Sequence, residues 1–459
     1  MNRESREEFG RLLGSGGFSD ALEERISYAY DATGRELLPD GVAFPKTVEE
    51  ISGIMEIATR HRVPVVPRGA GSGLTCGSVA AEGGLVVVMT GFDRIVGIDG
   101  DNLVAEVEPG VITQDLHDAV EALGFFYPPD PASKGFCTIG GNIAENAGGM
   151  RAVKYGVTRD YVMGLEVVLP SGKVVRTGSR CIKDVVGYDM TNLFVGSEGT
   201  LGIITRAFLR LLPKPEARMT LTAVFPSIRQ AARTVPDIIR NRVVPATLEF
   251  MDGHCIRAVE SYLAAKLPAE AEAFLLMDVD GPEVALAPDA ERIREICLEN
   301  GAIEVQVAGD EAERERLWKI RRAITAALSS LPVRGDGEDI VVPRTRIPDI
   351  IERMEEITDR YGLYAVNFGH AGDGNLHLSL VERDGPVTEA AVSAASADIL
   401  KAAVEMEGRI AAEHGIGLIK REKIEWNLDE ATLSWMHDIK RATDPHNILN
   451  PGKIFPSDT

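Results

Sequence analysis

Apolar positions recur every three or four residues at Val48, Ile51, Ile54, Met55 and Ala58, and again at Leu116, Ala119, Val120 and Leu123. That spacing predicts helices over 48–60 and 113–123. Around them stand short continuous apolar runs of strand length, Val63–Val66, Leu85–Met89, Leu103–Val107 and Leu165–Leu169. Residues 1–40 read as polar and helical. Farther on, charged amphipathic stretches at Asp289–Asn300 and Glu311–Leu328 predict longer helices, and Phe274–Val279 and Tyr364–Phe368 predict strands. Helix and strand patterns intermingle throughout, which excludes an all-helical bundle and points to an α+β or α/β chain.

Glycine is dense from Gly69 to Gly202 and sparse afterwards, and Pro213-Lys-Pro215 punctuates the change. We expect a boundary there, giving segments 1–213, 214–405 and a C-terminal piece 406–459 that returns to the first. A chain of 459 residues is ample for such a division. Lys plus Arg number 49 against 70 Asp plus Glu, a formal charge of −21, which disfavours nucleic acid and anionic lipid as partners. No apolar run approaches the ~20 residues of a membrane span. The charged start MNRESREEFG lacks a signal-peptide core, so a cytoplasmic location is expected. The five cysteines are scattered with no CxxC pair, which argues against a disulfide framework, a thiolate zinc site and an iron–sulfur cluster.

Three glycine-rich loops carry the chemistry of the first half. PVVPRGAGSGLTCGS (64–78) follows a strand and can turn successive N–H groups toward a phosphate, with Arg68 as a counter-charge. Its spacing is not the GxGxxG of a Rossmann turn. PPDPASKGFCTIGGNIAENAGGMRAVKYGVTRDYV (128–162) and LFVGSEGTLGIIT (193–205) repeat the theme. Any one loop can be a plain turn. Three together argue for a long ligand such as a dinucleotide.

These segments resemble the FAD-binding domain of the vanillyl-alcohol oxidase, or PCMH, type. They are similar to the glycolate oxidase flavoprotein subunit and the D-lactate and D-2-hydroxyglutarate dehydrogenases, from about residue 20 to 456. The resemblance implies an α+β fold with a two-subdomain FAD-binding domain (1–213) and an α+β substrate, or cap, domain (214–405). It implies FAD on Pro67, Arg68, Gly69, Ala70, Gly71, Ser72 and Gly73; on Pro129, Asp130, Thr138, Gly140, Gly141, Asn142, Ala144, Glu145, Asn146, Gly148, Gly149 and Tyr155; and on Glu198, Gly199, Gly202, Ile203 and Asn450. The first loop holds no histidine and Cys137 is offset from the attachment site of other relatives, so non-covalent FAD is expected.

In the second half, two apolar strands flank Asp373-Gly374, a favoured two-residue hairpin turn. With that turn, His370 faces His377, close enough for two imidazoles to share one metal. Glu413 and His414 end a helical stretch before Gly415; they read as a solvated helix end, or as a third ligand beside a proton-moving histidine. In the metal-dependent relatives the two hairpin histidines and this glutamate are ligands, for zinc or manganese, and the next histidine is the base. Arg321 and Thr325 are expected as i, i+4 neighbours on one helix, gripping a substrate carboxylate, with Arg322 as a competitor and Ser379 nearby.

The expected activity is oxidation of a short D-2-hydroxy acid, D-lactate or glycolate, to the 2-oxo acid, with His414 taking the hydroxyl proton and hydride passing to flavin N5. Gly337, two residues before Asp339, offers no cation where 2-hydroxyglutarate relatives carry a lysine, and Gly335–Asp339 is acidic. Electrons must leave to a separate acceptor protein or a quinone, which allows peripheral association with the inner membrane face; homodimerisation is left open. The rival readings are a D-2-hydroxyglutarate dehydrogenase, a non-catalytic FAD subunit of a larger oxidase, and a metal-dependent hydrolase built on the histidines alone.

Overall fold

A computed structural model describes residues 1–264, 267–268 and 270–456. The chain divides into two compact units: Met1–Gly148, Val157–Lys214 and Glu413–Thr459 form one, and Gly149–Gly156 with Pro215–Ala412 form the other. No helix among the described residues is long and apolar enough to cross a membrane.

The first unit holds two principal sheets. In one, Gly41–Ala43 and Val65–Arg68 flank Leu85–Val88 in parallel, with Phe18–Ser19 added antiparallel at the edge. The helix Val48–His61 packs Ile51, Ile54, Met55 and Ala58 against Val65, Leu85 and Val87, so the periodic positions do become a core. Thr47 caps that helix by accepting from the Glu50 N–H. The other sheet is antiparallel in the order Ile95–Asp99, Val104–Val107, Ile203–Arg210, Val162–Val168, Val174–Gly178. The C-terminal stretch joins this unit: Leu449 bridges Val65, and buried Lys440 donates to the carbonyls of Thr200 and Leu449.

The second unit is built on a seven-stranded antiparallel sheet in the order Glu304–Val307, Ala217–Phe225, Ala273–Gly281, Thr247–Asp252, Leu363–His370, Asn375–Glu382, Val333–Val341. Met251, Phe274, Leu276, Val366 and Val381 cluster with the helices Gly253–Leu263 and Glu311–Arg322. Residues 149–156 enter this unit from the middle of the first. Lys154 donates to the Asp280 carbonyl at 2.7 Å and pairs with its carboxylate, and the Tyr155 hydroxyl reaches the same carboxylate at 2.8 Å.

Three local expectations change. The stretch Glu311–Leu328 is two helices, Glu311–Arg322 and Ile324–Leu328, broken at Ala323. Residues 411–417 are bends and loop instead of a helix end, with Gly415 at φ +84°. The hairpin loop has four residues, Ala371–Gly374, not two. The His370 carbonyl accepts from the Asp373 and Gly374 N–H groups, so His370 pairs with Asn375, and His377 with Phe368.

Candidate functional site

Within the first unit the three glycine loops converge on one open-mouthed cavity, about 1400 Å³ including space open to solvent. Pro67, Arg68, Gly69–Gly73, Thr138, Gly140, Gly141, Asn142, Ala144, Glu145, Glu198, Gly199, Gly202 and Ile203 line it, as do Glu413 and His414. The loops pack too closely for side chains. A Cβ on Gly69 would stand 2.3 Å from Thr138 Oγ1, on Gly140 2.5 Å from Pro109 Cβ, and on Gly202 2.3 Å from Val167 Cγ1. Among the described residues the N–H groups of Ala70, Gly71, Ser72 and Gly73 make no hydrogen bond. A loop of unused donors on a cavity wall suits a phosphate-bearing ligand.

Arg68 is buried beneath this loop. Its Nη1 donates to the Ser78 carbonyl at 3.3 Å and its guanidinium lies 5.7 Å from the Tyr28 ring centroid, with burial lowering its pKa. It therefore supports the loop from below as well as charging the cavity wall.

Other expected FAD contacts fall elsewhere. Pro129 and Asp130 lie behind the wall, where the Pro129 carbonyl meets His117 Nε2 at 2.9 Å; the neighbouring Pro131–Ser133 line the cavity instead. Asn146 caps the helix Ile139–Glu145, and its Oδ1 accepts from the Arg159 N–H. Gly148 is packed against Glu413. Asn450 donates to the carbonyls of Gly77 and Glu198, tying two loops together without lining the cavity. Gly149 and Tyr155 belong to the second unit.

The segment that carries Glu413 and His414 is anchored by Glu198. The Glu198 carboxylate accepts from the Ile416 and Gly417 N–H groups, each at 2.7 Å, and Thr75 Oγ1 donates to the His414 carbonyl at 3.1 Å. His414 Nε2 stands 3.9 Å from Glu413 Oε1. Glu145 lies beside Glu198, its Oε2 shielded from solvent and without a hydrogen-bond partner among the described residues. Burial, then the Glu198 charge, hold the Glu145 carboxyl well above the ordinary carboxylate range.

The second unit gathers another cluster on one face of its sheet. His370 and His377 are diagonal neighbours across the hairpin, and their Nε2 atoms are 3.5 Å apart with the rings nearly perpendicular. Phe250 pairs with Gly369 and Met251 with Phe368, and one further step of that register sets Glu249 beside His370. Glu249 Oε1 lies 2.7 Å from His370 Nδ1, and Glu249 Oε2 accepts from Arg321 Nε at 2.7 Å. Burial works to raise the Glu249 carboxyl, but His370 and Arg321 outweigh it and hold it below its ordinary value. Asp339 pairs with His377 in the ladder, and its Oδ1 lies 3.4 Å from His377 Nδ1. Asp339 also accepts from Asn375 Nδ2 and the Ala412 N–H. Two imidazoles, each with a carboxylate within 3.4 Å of Nδ1 and with the Nε2 atoms facing each other, could hold a metal ion.

Arg321 is half-buried, 5.3 Å from the Phe368 ring centroid, with its two Nη groups unbonded among the described residues. Thr325 is exposed beyond the break at Ala323, off the helix of Arg321. Arg322 is exposed and paired with Glu315. Ser379 is two residues from His377 on the same strand and the same face. Glu249 was not foreseen from sequence, and Asp339 was noted only as a position marker.

Residues 39–178 match the family model for an FAD binding domain, and residues 214–454 match that for the C-terminal domain of FAD linked oxidases. The chain is 45% identical to the glycolate oxidase subunit GlcD of Bacillus subtilis (strain 168), covering 100% of this chain and 98% of that one. It is 40% identical to GlcD of Escherichia coli (strain K12), over 95% and 87%. It is 36% identical to the D-lactate dehydrogenase of Anaerostipes hadrus, over 95% and 93%. Among solved structures, p-cresol methylhydroxylase with substrate bound is similar at a TM-score of 0.81, covering 99% of this chain and 97% of that one at 18% identity, a likeness of fold.

Proposed function

This chain belongs to the family of FAD-linked oxidases that includes the glycolate oxidase GlcD subunits and D-lactate dehydrogenases, and on that premise we propose that it oxidises a short 2-hydroxy acid, D-lactate or glycolate, to the 2-oxo acid with a divalent metal, zinc or manganese, assisting. The observation that carries the metal is the 3.5 Å approach of His370 Nε2 and His377 Nε2. Two nitrogens ~2.05 Å from one tetrahedral ion lie roughly 3.3 Å apart, so this pair fits with little movement. The metal, when bound, lowers the pKa of a coordinated hydroxyl. FAD, when bound, would accept the C2 hydrogen as hydride, that is with the two electrons of the C–H bond.

The chain's own residues do the rest. The free N–H groups of Ala70–Gly73 would hold the FAD pyrophosphate, and the side-chain-free surfaces of Gly140, Gly141, Gly199 and Gly202 admit the rest of the dinucleotide. Arg321 presents its two unbonded Nη groups to the substrate carboxylate. His414 is assigned the hydroxyl proton, with its loop fixed by Glu198 and Thr75. Glu413 is assigned as third metal ligand on its resemblance to the metal-dependent relatives. The electron acceptor is read as a separate protein or a quinone.

The test is bleaching of the flavin band by D-lactate and glycolate, followed by turnover with an artificial acceptor before and after chelation. Full activity in a metal-free preparation would falsify the metal-assisted part; bleaching by neither acid would remove the substrate assignment.

A further inference from the structure

We propose that Glu249 is a positioning residue that joins the metal-facing imidazole of His370 to the carboxylate-gripping guanidinium of Arg321, an inference that rests on the reading of the metal site above. Glu249 is 1% exposed and His370 5%. An ionised carboxylate only accepts hydrogen bonds. The 2.7 Å contact of its Oε1 therefore places the ring proton of His370 on Nδ1 and leaves the Nε2 lone pair directed at His377. The other oxygen holds Arg321 by Nε alone, which leaves both Nη groups without a bond among the described residues. Arg321 stands 72 residues from Glu249 and His370 stands 121 residues from it, so no local element fixes these two groups relative to each other. The shared carboxylate does.

Glutamine at 249 cannot reproduce both bonds. With its oxygen toward Arg321 Nε–H, its NH₂ faces His370 and forces Nδ1 to accept, which moves the ring proton to Nε2 and blocks the ligand atom. With its oxygen toward His370, its NH₂ meets the Arg321 N–H donor to donor. Either way one of the two side chains is misplaced.

In metal-free wild-type protein labelled with ¹⁵N-histidine, His370 is expected as the Nδ1–H tautomer; the Nε2–H tautomer overturns the proposal without any variant. Glu249→Gln is expected to raise the zinc dissociation constant about 10- to 100-fold, read by competition with a chromophoric chelator. It should also switch His370 to Nε2–H or raise the KM for D-lactate on the order of tenfold, while FAD stays bound. Glu249→Asp, which keeps two accepting oxygens, should retain the Nδ1–H tautomer. A Glu249→Gln protein with wild-type tautomer and wild-type KM overturns the proposal. Failure of the wild type to bind zinc or manganese overturns the metal reading alone, and the tautomer and KM still decide the role of Glu249.

Discussion

His370 pairs across its hairpin with Asn375, two positions short of His377, and yet the Nε2 atoms of the two histidines are 3.5 Å apart. A diagonal pair on one sheet face brings long side chains together when both lean the same way. His370→Ala or His377→Ala should therefore abolish metal retention and most turnover while leaving the flavin spectrum intact, because the cavity that suits FAD lies in the other unit. Metal analysis and the absorption spectrum of the same sample measure this. Unchanged metal content in both variants would rule the pair out as ligands.

The glycine loop above Arg68 gives a separate handle. Gly71 has φ +74°, and a Cβ there would stand 2.2 Å from Arg68 Nη2. Gly71→Ala should cost roughly 1–2 kcal/mol in backbone strain and displace Arg68 from beneath the loop. The purified variant is expected to carry less than half the wild-type flavin, read as the ratio of flavin to protein absorbance. Full flavin content would show that the loop does not hold the cofactor.

Stability should carry the signature of Asp252. Burial pushes its carboxyl up to about 6, against the opposing hydrogen bonds from the Cys255 N–H and from Asn367. Between the unfolded value near 4 and this folded value, the folded state holds a proton that the unfolded state has lost. Its contribution is therefore favourable at the acid end and is lost as pH rises through that window, by roughly 3 kcal/mol in all. Asp252→Asn lacks this dependence. The stability of the variant relative to wild type, from denaturant unfolding, should improve by about that amount between pH 4 and pH 7. A difference that does not change with pH contradicts the assignment.

Selectivity should favour one carboxylate over two. Gly337 offers no side chain, and Glu338 and Asp339 follow it on the strand. The cations that could serve instead are engaged: Arg334 pairs with Glu382 and Glu389, and Arg322 with Glu315. An unpaired second carboxylate among acids should cost roughly 2–4 kcal/mol, on the order of a hundredfold in kcat/KM. Comparing D-lactate, glycolate and D-2-hydroxyglutarate on one preparation decides it; 2-hydroxyglutarate as the best substrate would mean that one of those arginines exchanges partners.

Much of this was legible from local signals. The helix over 48–61 follows from periodicity, the strand over 85–88 from a continuous apolar run, and the glycine loops that line the cavity from composition. The misses share a cause. Nothing in the sequence says that Ala371 and Gly372 leave the ladder; Gly372 does so where it packs against Val153, far away in the chain. The helix break at Ala323 moves Thr325 away from the Arg321 helix, although spacing alone puts them on one face. Glu249 is one acid among 70 Asp and Glu residues, and only the strand order sets it beside His370.

That residues 149–156 belong to the second unit, although they interrupt the sequence of the first, limits how such enzymes can diversify. The chain passes between its units at four points, after Gly148, Gly156, Lys214 and Ala412. A fragment begun at 215 would strip Asp280 of both Lys154 and Tyr155, and one ended at 412 would deprive Val65 of Leu449. A single genetic crossover between relatives therefore cannot exchange one intact unit for another. New substrate preferences are more accessible by replacing side chains in place than by shuffling modules.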